Sequence, residues 1–271
     1  MPNKRPTHSK IGASSMYRWQ QCPGSVKLSE GLPNKSSVYA QEGTAAHEIV
    51  GLALERAFSE NVPATEVLNE IVKALSVYTE YVESLKGDNP VHIEHSFNMD
   101  DIFPELYGTA DCVVYDKSTK ILHVIDYKHG KGIPVEVENN LQLSYYALGA
   151  LHTLDYPCIA VQMTIVQPRC YHPAGQIRSW KVSALYFLDF EFDLIEAAKK
   201  TQKKKAKLFA GDHCIFCLAK TICPQKKKQN KAQAKKEFKN FNFYDDPKND
   251  FEPVTEPVVN DPPNIANNFF D

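Results

Sequence analysis

Asp126 and Lys128, in "HVIDYK", are two residues apart; on a strand they share a face while Tyr127 points away. Asp111, in "YGTADCVVYD", lies on an earlier strand-like run, separated from the first by the polar turn "DKSTK". If that turn centres between Ser118 and Thr119, pairing partners sum to 237 and Asp111 falls opposite Asp126. A slip of one residue would break the match. In this register two carboxylates and an ammonium converge, an arrangement whose like charges are costly unless a divalent cation sits between them. Such a set suits phosphodiester hydrolysis: Mg²⁺ or Mn²⁺ polarises the phosphate and lowers the pKa of a bound water. The ammonium orients that water or stabilises charge developing on phosphate. For D-x-K taken alone, an ordinary cross-strand salt bridge is the plainer reading.

A second constellation stands near the other end. Cys214, Cys217 and Cys223 form C-x2-C-x5-C in "HCIFCLAKTIC", three ligands where a metal site wants four. Seven cysteines in 271 residues, three of them clustered, favour free thiols and ligation over a disulfide framework. No apolar run approaches the ~20 residues of a membrane span, and the basic N-terminus has no apolar stretch behind it as a secretory signal would. The expectation is a cytoplasmic protein without membrane contact. The net charge of −2 hides an asymmetry, since residues 199–239 hold 14 Lys against Asp212 and Glu237, a local +12. That block suggests contact with phosphates, and a solvated helix end accounts for it equally well. The last 31 residues carry seven acids against Lys248 alone.

The elements that must position these groups follow from periodicity. Residues 12–43 are Gly-, Ser- and Pro-rich and predict loops with short helical turns. Helices are predicted over 44–58, with Thr44 as N-cap, and over 64–86, ended by "GDNP". Strands are predicted at 91–97, 107–116 and 120–128, the last two as an antiparallel hairpin. A helix over 140–154, strands at 158–168 and 177–183, and a long helix over 185–209 complete the domain. Cys112 and Cys158 read as small buried apolar residues in strands. Residues 225–271, Lys-rich and then acidic, predict a disordered tail whose aromatic end "NNFFD" could dock onto a replication or recombination partner. The whole predicts a mixed α/β domain with helices covering a small sheet.

The order of motifs adds to this: G-x-x-x-H at Gly43–His47, G-x-x-D at Gly108–Asp111, D-x-K at Asp126–Lys128, then Q-x-x-x-Y at Gln142 and Tyr146, which share a helix face. This set resembles the RecB-like branch of the PD-(D/E)xK nuclease superfamily over about residues 12–224. The opening "SSMYRWQQCPGSVKLSEGL" resembles that of uncharacterised phage-encoded members. The resemblance implies a restriction-endonuclease-like core. In it His47, Asp111, Asp126 and the Tyr127 carbonyl bind Mg²⁺ or Mn²⁺, Lys128 is catalytic with Asp111 and Asp126, and Gln142 and Tyr146 lie near the substrate strand. Many relatives carry Glu where this chain has Asp126, and Glu94 is an accessory candidate.

Some members, including the AddB type, also hold an iron–sulfur cluster with one ligand before the core and a C-x2-C-x5-C after it. Cys22 and the trio Cys214, Cys217 and Cys223 match in order and spacing. The resemblance therefore implies a 4Fe–4S cluster rather than zinc, stapling the N-terminal segment to the C-terminal one. The function so implied is a metal-dependent DNA nuclease, an exonuclease acting on DNA ends or single strands in phage replication, recombination or repair. A silent DNA-binding scaffold of the same fold is the alternative.

Overall fold

The structure is a computed structural model, and it describes residues 9–32 and 62–239. The chain divides into two compact units, residues 1–229 and 230–271, and the fold below is that of the first. The expected helix over 44–58, with His47 in it, and the aromatic end of the chain lie outside the described residues.

Five strands form one mixed sheet: β1 (Val91–Asn98), β2 (Tyr107–Asp116), β3 (Ile121–Tyr127), β4 (Ala160–Val166) and β5 (Ile177–Ser183). They lie in sequence order, antiparallel except for the parallel pair β3–β4. A parallel neighbour needs a crossover. Helix α4 (Leu141–Thr153) supplies it, started by Asn140, whose side chain accepts from the Leu143 N–H at 3.1 Å. The β2–β3 turn is set by Asp116, whose carboxylate accepts from the hydroxyls of Ser118 and Thr119, each at 2.7 Å.

Helices cover both faces. The stripe Val77, Tyr78, Tyr81, Val82 and Leu85 of α3 (Ala64–Lys86) packs on Cys112, Val114, Ile125 and Val166. The opposite face buries Val113, Val124, Met163 and Ile165 under α4, α5 (Tyr186–Gln202) and the N-terminal turns α1 (Met16–Gln21) and α2 (Ser25–Leu28). Gly149 of α4 is there because a Cβ would come within 2.3 Å of the Phe97 ring.

Three boundaries differ from expectation. Helix α5 stops at Gln202 instead of running to 209, because the following chain is drawn off to the N-terminal segment. Lys27 Nζ donates to the Lys203 carbonyl at 2.9 Å, and the Gly24 N–H to that of Lys207 at 2.8 Å. Residue 24 must be glycine for this approach, since a Cβ would meet the Ala206 carbonyl at 2.7 Å. The Lys-rich stretch after the cysteines begins as helix α6 (Pro224–Lys239) rather than as tail. Proline suits a first helical position, and Ala, Gln and Lys are good helix formers. Cys158 precedes β4 instead of lying in it and is only half-buried.

Candidate active site

The β2–β3 pairs run from Asp116↔Ile121 to Cys112↔Ile125, all summing to 237, which brings Asp111 level with Asp126 at the ladder's end. There the Asp111 side chain takes over from the backbone, its Oδ2 accepting the Tyr127 N–H at 2.8 Å. Asp126 is 2 % exposed, and its Oδ2 stands 2.6 Å from Lys128 Nζ. The contact is an ion pair without good direction, because the same oxygen finds no hydrogen-bond partner. Lys128 Nζ donates instead to Gln142 Oε1 at 3.1 Å, and Gln142 Nε2 donates to the Tyr146 hydroxyl at 2.9 Å. Asp126, Lys128, Gln142 and Tyr146 thus form one continuous polar chain from the sheet to α4.

The sheet is distorted at this level. In β2, Ala110 and Val113 enter the same core although they are three residues apart, whereas Cys112 joins the opposite one. In β1, His92 and His95 also share a side, bonding Tyr156 and Thr153 at 3.0 and 2.8 Å. Between them Glu94 has φ of +48°, a left-handed conformation costing roughly 1–3 kcal/mol in a non-glycine residue. Both strands slip phase together, so their register survives, and Glu94 falls level with Asp111. Local strand irregularities of this kind re-aim side chains beside active sites.

Three carboxylates therefore share one end of the sheet. Burial pushes the Asp126 carboxyl up to about 6; the Lys128 ammonium offsets part of this and the Asp111 charge adds to it. Glu94 is raised as well, by burial and then by Asp111. Burial pushes Tyr146 up to about 12, with Asp126, Asp111 and Glu94 adding to the rise. Tyr78 of α3 feels the same three charges, and its ring lies 5.3 Å from that of Tyr127. Nothing in its sequence context singles out Tyr78, since it occupies an ordinary position in an amphipathic stripe.

The sequence-expected residues Asp111, Asp126, Tyr127, Lys128, Gln142 and Tyr146 are thus brought together, with Glu94 beside them; His47 lies outside the described residues. Among the described residues no three His, Cys, Asp or Glu side chains are grouped so as to hold a metal ion. Asp111 and Asp126 form a pair whose mutual repulsion, with one oxygen buried and undirected, suits a cation that takes oxygen ligands.

Cys22, Cys214, Cys217 and Cys223 are all buried, and Cys22 lies near enough to Cys223 and Cys214 for their charges to raise its thiol pKa, after burial itself. The Phe209 N–H donates to Cys22 Sγ at 3.3 Å and the Gly211 N–H to Cys214 Sγ at 3.5 Å. His213 ties the same segments, meeting Gln21 Oε1 and the Phe209 carbonyl, each at 3.1 Å. Of the remaining thiols, Cys112 and Cys170 are buried.

The fold is an α/β fold whose five-stranded mixed sheet is flanked by helices and carries a carboxylate–lysine cluster at one end. The chain belongs to the family described as "Protein of unknown function (DUF2800)", whose model matches residues 8–250. It is also similar, distantly, to a solved structure titled "Crystal structure of SSO0001", with 18% identity and a TM-score of 0.38 over 82% of this chain and 88% of that one. No helix among the described residues is long and apolar enough to cross a membrane.

Proposed function

We propose that this protein is a metal-dependent DNA nuclease of the PD-(D/E)xK type, acting on ends or single strands. The observation that carries the reading is the meeting of Asp111, Asp126 and Lys128 at one end of the sheet, with Lys128 Nζ 2.6 Å from Asp126 and 3.1 Å from Gln142. Asp111, Asp126 and the Tyr127 carbonyl would hold Mg²⁺ or Mn²⁺, with His47 as a further ligand. The ion supplies polarisation of the phosphate and an acidified water. Lys128 orients the attacking water and stabilises charge on the phosphate oxygens. Gln142 fixes the lysine through Oε1 and, with Tyr146, positions the strand.

The same reading gives Cys22, Cys214, Cys217 and Cys223 a 4Fe–4S cluster, supported by four buried thiols and two N–H···S bonds. The cluster would close a loop of roughly 190 residues, stabilising the fold as a cross-link does.

The test is Mn²⁺-dependent degradation of 5′- and 3′-end-labelled single- and double-stranded DNA by anaerobically purified protein, beside Lys128→Ala. Cleavage lost in the variant and in EDTA supports the nuclease. Cluster-loaded wild type that binds DNA and never cuts it overturns the reading in favour of a scaffold.

A further inference from the structure

Beside the carboxylates lies a second charged cluster that the reading above leaves unused. Tyr127 joins the two, its N–H on Asp111 and its hydroxyl 2.7 Å from His129 Nδ1. His129 Nε2 in turn meets Arg169 Nη1. Arg169 Nε donates to Glu70 Oε1 at 3.3 Å, and Lys131 Nζ pairs with the same oxygen at 2.7 Å. A guanidinium only donates. His129 Nε2 must therefore accept, its proton sits on Nδ1, and the Tyr127 hydroxyl receives it. The hydroxyl's own proton is then left to donate, with no acceptor among the described residues.

The loop carrying His129 and Lys131 is pinned from beneath. Gln167, 1 % exposed, donates to the carbonyls of Gly130 and Ile133 at 3.2 and 2.9 Å and accepts from the Val135 N–H at 3.0 Å. Buried Arg178 bonds Gln167 Oε1 at 2.9 Å and the Val135 carbonyl at 3.0 Å. The outer side is different. A Cβ at Gly130 or Gly132 would meet open space. Among the described residues the N–H groups of Gly130, Lys131 and Gly132 have no acceptor, nor has Arg169 Nη2.

Among the described residues the unmet donors of this shelf outnumber its unmet acceptors, the carbonyls of Lys131 and Gly132, and Lys131 and Arg169 bring two cationic side chains to it. A tetrahedral oxyanion is the ligand such a set fits. We infer that the loop 129–133 with Arg169 binds a backbone phosphate of the nucleic-acid strand, next to the phosphate at Lys128. The inference rests on the nuclease reading for its substrate. Tyr127 links the shelf to the carboxylates, through its N–H on Asp111 and its hydroxyl on His129, and both phosphates are assigned to one strand. Glu70 is the resident counterion, which the incoming phosphate displaces from Lys131 and Arg169.

The test measures binding of a labelled single-stranded oligonucleotide to the full chain in EDTA, across a chloride series. Each phosphate contact removed should lower the slope of log K against log salt by about 0.7. Lys131→Gln should show that drop, Lys131→Gln with Arg169→Gln about twice it, and Glu70→Gln should tighten binding several-fold. Lys131 and Glu70 are both well exposed, so neither substitution threatens folding. Unchanged slope and affinity in Lys131→Gln and Glu70→Gln overturn the shelf, and the nuclease stands if Lys128→Ala still abolishes cleavage. A lowered slope in a protein that never cuts keeps the shelf and removes the nuclease. Inorganic phosphate that competes better than sulfate at equal ionic strength would reassign the shelf to a free anion and overturn the strand proposal.

Discussion

Gln142 Oε1 accepts from Lys128 Nζ at 3.1 Å while its amide nitrogen donates to Tyr146 at 2.9 Å, so one side chain orients the lysine and is itself oriented by the tyrosine. An amide can serve both neighbours only in this sense, because an ammonium donates and never accepts. Tyr146→Phe should cost about 1 kcal/mol of stability, as the loss of one neutral hydrogen bond. It should lower Mn²⁺-dependent cleavage by roughly tenfold, through a less well-held lysine. Gln142→Leu should cost more in rate, leaving Lys128 held only by its ion pair with Asp126. Urea unfolding and single-turnover cleavage of the two variants check the order.

Asp126 should make the metal-free protein less stable as pH rises. Its carboxyl titrates at about 6 in the fold against 3.8 when free, so between those values the folded state holds a proton that the unfolded chain has lost. Stability is then full below the lower value and falls through the upper one, by on the order of 3 kcal/mol. The sum already includes the Lys128 attraction. Asp126→Asn, neutral at every pH, should abolish the fall and unfold at a higher urea concentration than wild type at pH 7.5 in EDTA. A wild type whose midpoint rises from pH 4 to pH 7 would contradict the assignment. Bound Mn²⁺ should recover the loss by linkage, since it takes the ionised form.

Much of this site is legible in the chain because it is local. The turn "DKSTK" fixes one register through Asp116, Ser118 and Thr119, and the register carries Asp111 to the level of Asp126. Gln142 and Tyr146 are a helical i, i+4 pair after a capping Asn140, so their shared face follows from spacing alone. What spacing does not carry is long-range. The left-handed turn at Glu94 is a consequence of two strands slipping together, and no residue type announces it. Arg169 meets His129 from 40 residues away, and α5 ends early because the N-terminal segment claims the chain that follows it. The stretch His129-Gly130-Lys131-Gly132 reads as a basic, glycine-containing loop, but nothing local in it shows that Arg169 meets it.

The cysteines should make the protein coloured. Anaerobically purified wild type should be brown and carry about four irons per chain, one for each thiolate. Cys22→Ser should lose most of that iron and the visible absorption with it. A loop of this size adds several kcal/mol when closed, so the variant's melting temperature should also fall by several degrees. A colourless protein with one zinc per chain would replace the cluster with a zinc site.

Gly24 tests whether the thiols are held by the backbone around them. A methyl there would meet the Ala206 carbonyl at 2.7 Å and Leu208 Cδ2 at 2.8 Å. The leucine can turn aside, but the carbonyl is fixed by the chain that also accepts the Gly24 N–H through Lys207. Gly24→Ala should therefore push apart the segments bearing Cys22 and Cys214, at about 1–3 kcal/mol, the usual cost of overpacking. It removes no ligand. The expected result is a protein that assembles its cluster but loses iron faster to a chelator than wild type, while Gly130→Ala, where a Cβ meets open space, does not. Equal rates of iron loss in both variants would mean that the sulfurs are positioned without the Gly24–Lys207 contact.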